Sequence, residues 1–140
     1  HHPPKVIVLL VGVNNAFHHP QTAQAIAAGI SAVVRRVQGR LPKTQILLLG
    51  IFPTGSKTSR IRKKVAAINQ RIAHLAAADR VIYLDIGARF LDRHGEISKD
   101  VLFDYLHPTA RGYRIWAEAM EPTLRTLLGD RGTPAHPTPP

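Results

Sequence analysis

Three short apolar runs alternate with three amphipathic patterns of helical length along this chain, and few folds accommodate that order. The runs are Val6-Ile7-Val8-Leu9-Leu10-Val11, ending at Gly12; Ile46-Leu47-Leu48-Leu49, ending at Gly50; and Val81-Ile82-Tyr83-Leu84, ending at Asp85. The first two are continuous rather than alternating, as expected of strands buried on both faces of a parallel sheet. The first helix is predicted from about Pro20 to Gly39. Ala23, Ile26, Ala27, Ile30, Val33, Val34 and Val37 make one apolar stripe there, and Gly39 and Pro42 stop it. The second runs from about Ser59, a plausible N-cap, to Ala78, with Ile61, Val65, Ile68, Ile72 and Leu75 at three- and four-residue steps. The third runs from about Thr109 to Leu128, with Tyr113, Trp116, Ala119, Met120, Leu124, Leu127 and Leu128 on its buried side. Pro122 falls inside this pattern and predicts a kink or a break.

Strand followed by helix, three times over, implies right-handed crossovers and an α/β sandwich with a parallel sheet. Sites in such sheets lie beyond the carboxyl ends of the strands. The segments to inspect are therefore Gly12-Val13-Asn14-Asn15, Gly50-Ile51-Phe52-Pro53-Thr54-Gly55 and Asp85-Ile86-Gly87. The first strand carries no polar edge protection and reads as a central strand, so a partner on its far side is expected to be missing from these residues.

Composition narrows the chemistry. With 140 residues, 44% of them hydrophobic, the chain is long enough for one domain with a true core. The segment from Asp130 to Pro140 is rich in Pro, Gly and Thr and is expected to be a disordered tail. The absence of Cys excludes disulfides, thiol catalysis and thiolate metal sites within these residues. No apolar run approaches the ~18 residues of a membrane span, and the N-terminus leads straight into a strand-like run with no signal peptide. A soluble chain is expected, with its compartment unassigned.

The net charge is +10, which brings nucleic acid and anionic surfaces into consideration. The densest basic stretch holds Lys57, Arg60, Arg62, Lys63 and Lys64, yet has no aromatic residue on which a base could stack. It reads as a solvated helix start, and nucleic acid is not expected as a partner. His1-His2 and His18-His19 raise a metal site, but adjacent side chains on a regular element face different ways, so none is expected.

Two sites carry chemistry. Asp104 and His107 stand three residues apart, ahead of Pro108, Thr109 and a helix start. A carboxylate at that spacing can hold one imidazole nitrogen as N–H and free the other to take a proton. The alternative is a loop Asp capping a turn beside a surface His. Asn14 lies two residues past Gly12 at a strand end, where its amide can donate into the crevice as an oxyanion hole requires; the alternative is an ordinary turn residue.

Taken together, these segments resemble the SGNH (GDSL-type) hydrolases. Gly12-Val13-Asn14-Asn15 resembles that family's G-x-N-D block, with Asn15 in place of the final Asp. The stretch from Asp104 to His107 resembles its D-x-x-H block. Within the family the likeness is to the platelet-activating-factor-acetylhydrolase α-subunit-like esterases. These share a pattern like Gly50-Ile51-Phe52-Pro53-Thr54-Gly55, then a basic helix with Ile68-Asn69-Gln70, and Gly112-Tyr113 after the His. The similarity spans about residues 3 to 128.

The resemblance implies a flavodoxin-like three-layer α/β/α sandwich, with residues 1–129 supplying its C-terminal three strands and helices. It implies metal-free, cofactor-free hydrolysis of a small acyl ester, acetyl being the expected acyl group. His107 would be the general base, Asp104 its orienter and Asn14 an oxyanion donor, with Gly12, Asn15, His18 and Phe52 along the substrate pocket. The family's G-D-S block and its second block are not found in these residues. Ser31, Ser56, Ser59 and Ser98 have neither a G-D-S nor a G-x-S-x-G setting. The nucleophile is thus expected from a segment outside these residues, upstream in the same gene product or on a second chain. A homodimer is compatible with the resemblance. The alternative is a truncated, catalytically inactive fold that acts as an interaction module.

Overall fold

The computed structural model describes residues 2–17 and 20–129. His1, His18, His19 and the expected tail from Asp130 onward lie outside the described residues.

Three parallel strands form one sheet in the order β1 (Val6–Leu9), β2 (Gln45–Leu49), β3 (Val81–Leu84). Ile7 pairs with Ile46, and Leu47 with Ile82. The continuous apolar run of β2 is explained by its position. Ile46 to Leu49 are all essentially inaccessible because β2 has a strand on each side and helices above and below. Among the described residues β1 is an edge, and Val8 at its middle is 37% exposed.

Successive residues of β2 face opposite layers. Ile46 and Leu48 join Ile26, Ile30, Val34, Val65, Ile68 and Ile72 in the larger core, beneath α2 (Ala23–Arg40) and α3 (Arg60–Ile72). On the other face Phe52, Ile86, Phe90, Val101 and Leu102 form a second core, which receives Ile115, Trp116 and Ala119 of α4 (Ala110–Leu128). The result is an α/β/α arrangement.

Local chemistry sets the helix ends. Thr22, Ser59 and Thr109 each accept a backbone N–H with the side-chain oxygen, from Ala25, Arg62 and Gly112. The second helical pattern divides, with α3 ending at Ile72 and a 3-10 turn occupying Ala73–Ala77. Pro122 does not break α4. It is exposed, as is Glu118 one turn earlier, so water can satisfy the carbonyl that the proline leaves without a donor. The predicted buried side of α4 is corrected in part, since Trp116 and Ala119 do pack inward. Tyr113 is 56% exposed and Leu128 is exposed, while Ile115, Trp116 and Ala119 make the contact. A five-residue helix, α1 (Val13–Phe17), stands where a plain turn was the alternative reading for Asn14. No described helix is long and apolar enough to cross a membrane.

Candidate active site

The segment between the second core and α4 folds into a tight, closed turn. Leu102 and Pro108 form an antiparallel bridge, and the Phe103 N–H donates to the His107 carbonyl at 3.1 Å. Inside this turn one carboxylate oxygen of Asp104, Oδ1, accepts the N–H groups of Leu106 (3.1 Å) and His107 (2.7 Å). The other, Oδ2, lies 2.7 Å from His107 Nδ1. The backbone N–H of His107, then its ring, hold the Asp104 carboxyl at about 2, down from 3.8. Asp104 therefore remains an acceptor at neutral pH, and the short contact requires Nδ1 to carry the hydrogen. Nε2 is left as the basic nitrogen.

Tyr105, at the tip, has φ +64, a costly conformation for a bulky residue. Its carbonyl is held by the buried Thr54 hydroxyl at 2.7 Å and by the Gly55 N–H at 3.2 Å. The loop after β2 thus pins the turn that carries the pair.

Asn14, on the first turn of α1 beyond β1, meets His107 across a cleft of about 260 Å³. Leu10, Val13, Ile51, Phe52, Leu106, Pro108 and Trp116 complete its walls. The Asn14 amide is exposed and carries no hydrogen bond to another described residue, so it is available to a ligand. Phe52 stacks on Phe90 (4.4 Å between centroids) and meets Trp116 edge-on (5.0 Å), which fixes the apolar wall.

The other expected site residues divide. Phe52 lines this cleft, whereas Gly12 and Asn15 border a separate groove of about 450 Å³ between the end of β1 and α2, where Asn15 Nδ2 donates to Gln21. His18 lies outside the described residues. No serine lines the cleft. Ser59 Oγ caps α3 and donates to the Ser56 carbonyl. Ser31 accepts from Arg35 and Ser98 from the Asp100 N–H. Asp85 closes a turn by accepting the Gly87 N–H at 2.8 Å. Among the described residues no three His, Asp or Glu side chains converge as a metal site would need.

Two supporting residues were not given these roles by sequence reasoning. Asn69 holds both main-chain groups of Ile51, Oδ1 accepting its N–H and Nδ2 donating to its carbonyl, each at 2.9 Å. Arg62, expected among solvated charges, instead turns inward. Its guanidinium donates to the carbonyls of Thr54, Gly55 and Gly95, and burial lowers its pKa. Asn69 enters the sequence reading only within the Ile68-Asn69-Gln70 pattern of the basic helix, directly after the buried Ile68.

The model of the GDSL-like lipase/acylhydrolase family matches residues 1–115. The chain is 38% identical over 126 residues to the rat (Rattus norvegicus) platelet-activating factor acetylhydrolase IB subunit alpha2, covering 89% of this chain and 54% of the relative. It is 35% identical over 141 residues to the alpha1 subunit from Bos taurus, covering 99% and 60%. A crystal structure of a GDSL-like lipase from Bacteroides thetaiotaomicron superposes with a TM-score of 0.74 at 16% identity, over 88% of this chain and 63% of that one. The chain thus spans little more than half the length of the curated relatives it matches.

Proposed function

The chain belongs to the GDSL-like lipase/acylhydrolase family, and from that premise we propose that it supplies the base half of a serine esterase site. Its substrate is a small acyl ester, with acetyl as the acyl group. The observation that carries the reading is the 2.7 Å contact from Asp104 Oδ2 to His107 Nδ1, on a cleft shared with the unpartnered amide of Asn14.

In this reading the nucleophilic Ser comes from a segment outside these residues, upstream in the same gene product or on a second chain. His107 Nε2 takes the Ser hydroxyl proton as the oxygen attacks the ester carbonyl. Asp104 stabilises the imidazolium that forms and stays ionised itself. The Asn14 amide donates to the oxyanion of the tetrahedral intermediate. His107 then returns the proton to the departing alcohol, and water attacks the acyl-enzyme by the same route.

The test is an intact mass after treatment with a fluorophosphonate, which labels activated serines. Label on a species heavier than 15.4 kDa, or on a second chain, is the expected result. A single unlabelled 15.4 kDa species would overturn the reading. A second, non-catalytic reading is favoured by the open edge of β1, which can accept a strand from a partner. That unlabelled species, together with capture of a strand by the edge, would establish it.

A further inference from the structure

We infer that Phe103 is a positioning residue for His107; the inference rests on the hydrolase reading of this cleft. Phe103 is 57% exposed and belongs to neither hydrophobic core, so core packing does not account for a large apolar ring at this place. Its ring does have a partner. The imidazole of His107 lies 5.9 Å away between centroids, with 24° between the planes. The main-chain bond from Phe103 N–H to the His107 carbonyl holds the two residues opposite one another across the turn.

The contact supplies a restraint that the carboxylate cannot. Asp104 grips the imidazole at one edge only, through Nδ1. A single hydrogen bond acts as a hinge, and the His107 side chain is 64% exposed. The ring can therefore swing about that bond and carry Nε2 away from the point where a hydroxyl must deliver its proton. The Phe103 ring, near-parallel and offset beside the imidazole, opposes the swing. Phe103 touches no reacting atom in this account. It acts through the direction in which Nε2 points, and a hydrogen-bond donor or acceptor on its ring is not needed. Any aromatic residue should serve, whereas a branched aliphatic one should not.

The experiment is NMR of the His107 imidazole in the full chain, its ring signals identified by their loss in His107→Gln. Wild type is compared with Phe103→Leu and Phe103→Tyr, each checked for an unchanged melting temperature. In Phe103→Leu the His107 ring protons are expected to change shift as the Phe103 ring current is lost, and the ring to gain mobility in relaxation measurements. Phe103→Tyr should restore both. In p-nitrophenyl acetate turnover by the assembly that carries the fluorophosphonate-labelled serine, kcat should fall roughly 2- to 12-fold in Phe103→Leu, the range expected of one aromatic contact, with KM unchanged. His107 ring signals that are indifferent to Phe103→Leu, or a Tyr variant that behaves like Leu, would overturn the inference and leave the hydrolase reading standing. A His107 ring that responds as expected, with no ester turnover even in the assembly that includes the serine-bearing segment, would overturn the hydrolase reading and leave the Phe103 contact standing.

Discussion

At the scale of single residues, the pair Asp104–His107 owes its geometry to main-chain donors more than to attraction between two charges. Two N–H groups on Oδ1 orient the carboxylate before the imidazole meets Oδ2. This has a consequence for pH. The folded carboxyl sits at about 2, below its ordinary 3.8. Its contribution to stability is therefore fully present above the ordinary value and is lost as pH falls through about 2. Titration of the Asp104 carboxyl carbon by NMR should show a midpoint near 2, and a midpoint near 3.8 would mean that the main-chain bonds are absent in solution. Asn14 has the opposite character, since nothing in the described protein occupies its amide. If it serves the oxyanion, Asn14→Ala should lower kcat roughly 10²- to 10³-fold with little change in melting temperature. A rise in KM alone would instead make it a ground-state contact. Both residues are legible in the sequence because their settings are local: a D-x-x-H turn before a capped helix, and an amide just past a buried strand. Asn69 is not legible in the same way. Its partner, Ile51, lies 18 positions earlier, and no pattern within α3 encodes which backbone its amide will meet.

Elements that form from local rules are legible in the sequence, and those too short to show a period are not. The strand runs and the caps at Ser59 and Thr109 follow from periodicity and from a side-chain oxygen reaching its own backbone. The helix α1 is not legible, because five residues are too few to show a helical period. The 3-10 turn at Gly87–Phe90 is hidden for the same reason. The exposed face of α4 misleads for another reason, since its stripe of Tyr113 and Leu128 extends past the surface that the described residues can cover. The start of α4 provides a quantitative test. Gly112 sits so close to the preceding segment that a Cβ there would overlap the Val101 carbonyl oxygen. Gly112→Ala gains up to about 1 kcal/mol of helix propensity. The overlap with backbone, which cannot rotate away, costs about 1–3 kcal/mol or more. The net effect should be destabilising, a melting temperature lower by several degrees. Gly29, in the middle of α2, has nothing within 4 Å of a Cβ, so Gly29→Ala should move stability in the opposite direction by up to ~1 kcal/mol. Equal signs in the two variants would refute the close approach at Gly112.

At the scale of the whole molecule two features oppose each other, the open edge of β1 and the net charge of +10. Val8 and Val11 are exposed along or just past that edge, and Val33 of α2 is exposed beside the neighbouring groove. An apolar edge strand of this kind invites pairing with another copy. Charge resists it. A 140-residue fold has a radius of gyration of roughly 14 Å, while the Debye length falls from ~30 Å at 0.01 M salt to ~8 Å at 0.15 M. At the lower salt every positive charge on one copy repels those on the next, and at the higher salt most of that repulsion is gone. The described ion pairs, such as Arg125–Glu121 and Arg80–Asp79, are on the surface and do little to change the balance. Sedimentation velocity should therefore show one small species at 0.01 M salt and growing self-association as salt rises. Val8→Lys, which places a charge at the middle of the edge, should abolish the association at every salt concentration while leaving the melting temperature nearly unchanged. Association that persists in Val8→Lys would locate the contact elsewhere. A sedimentation coefficient that ignores salt in both proteins would mean that the edge is already occupied. In the esterase reading the occupant is the segment that brings the nucleophile, and the fluorophosphonate label would then be found in that same species.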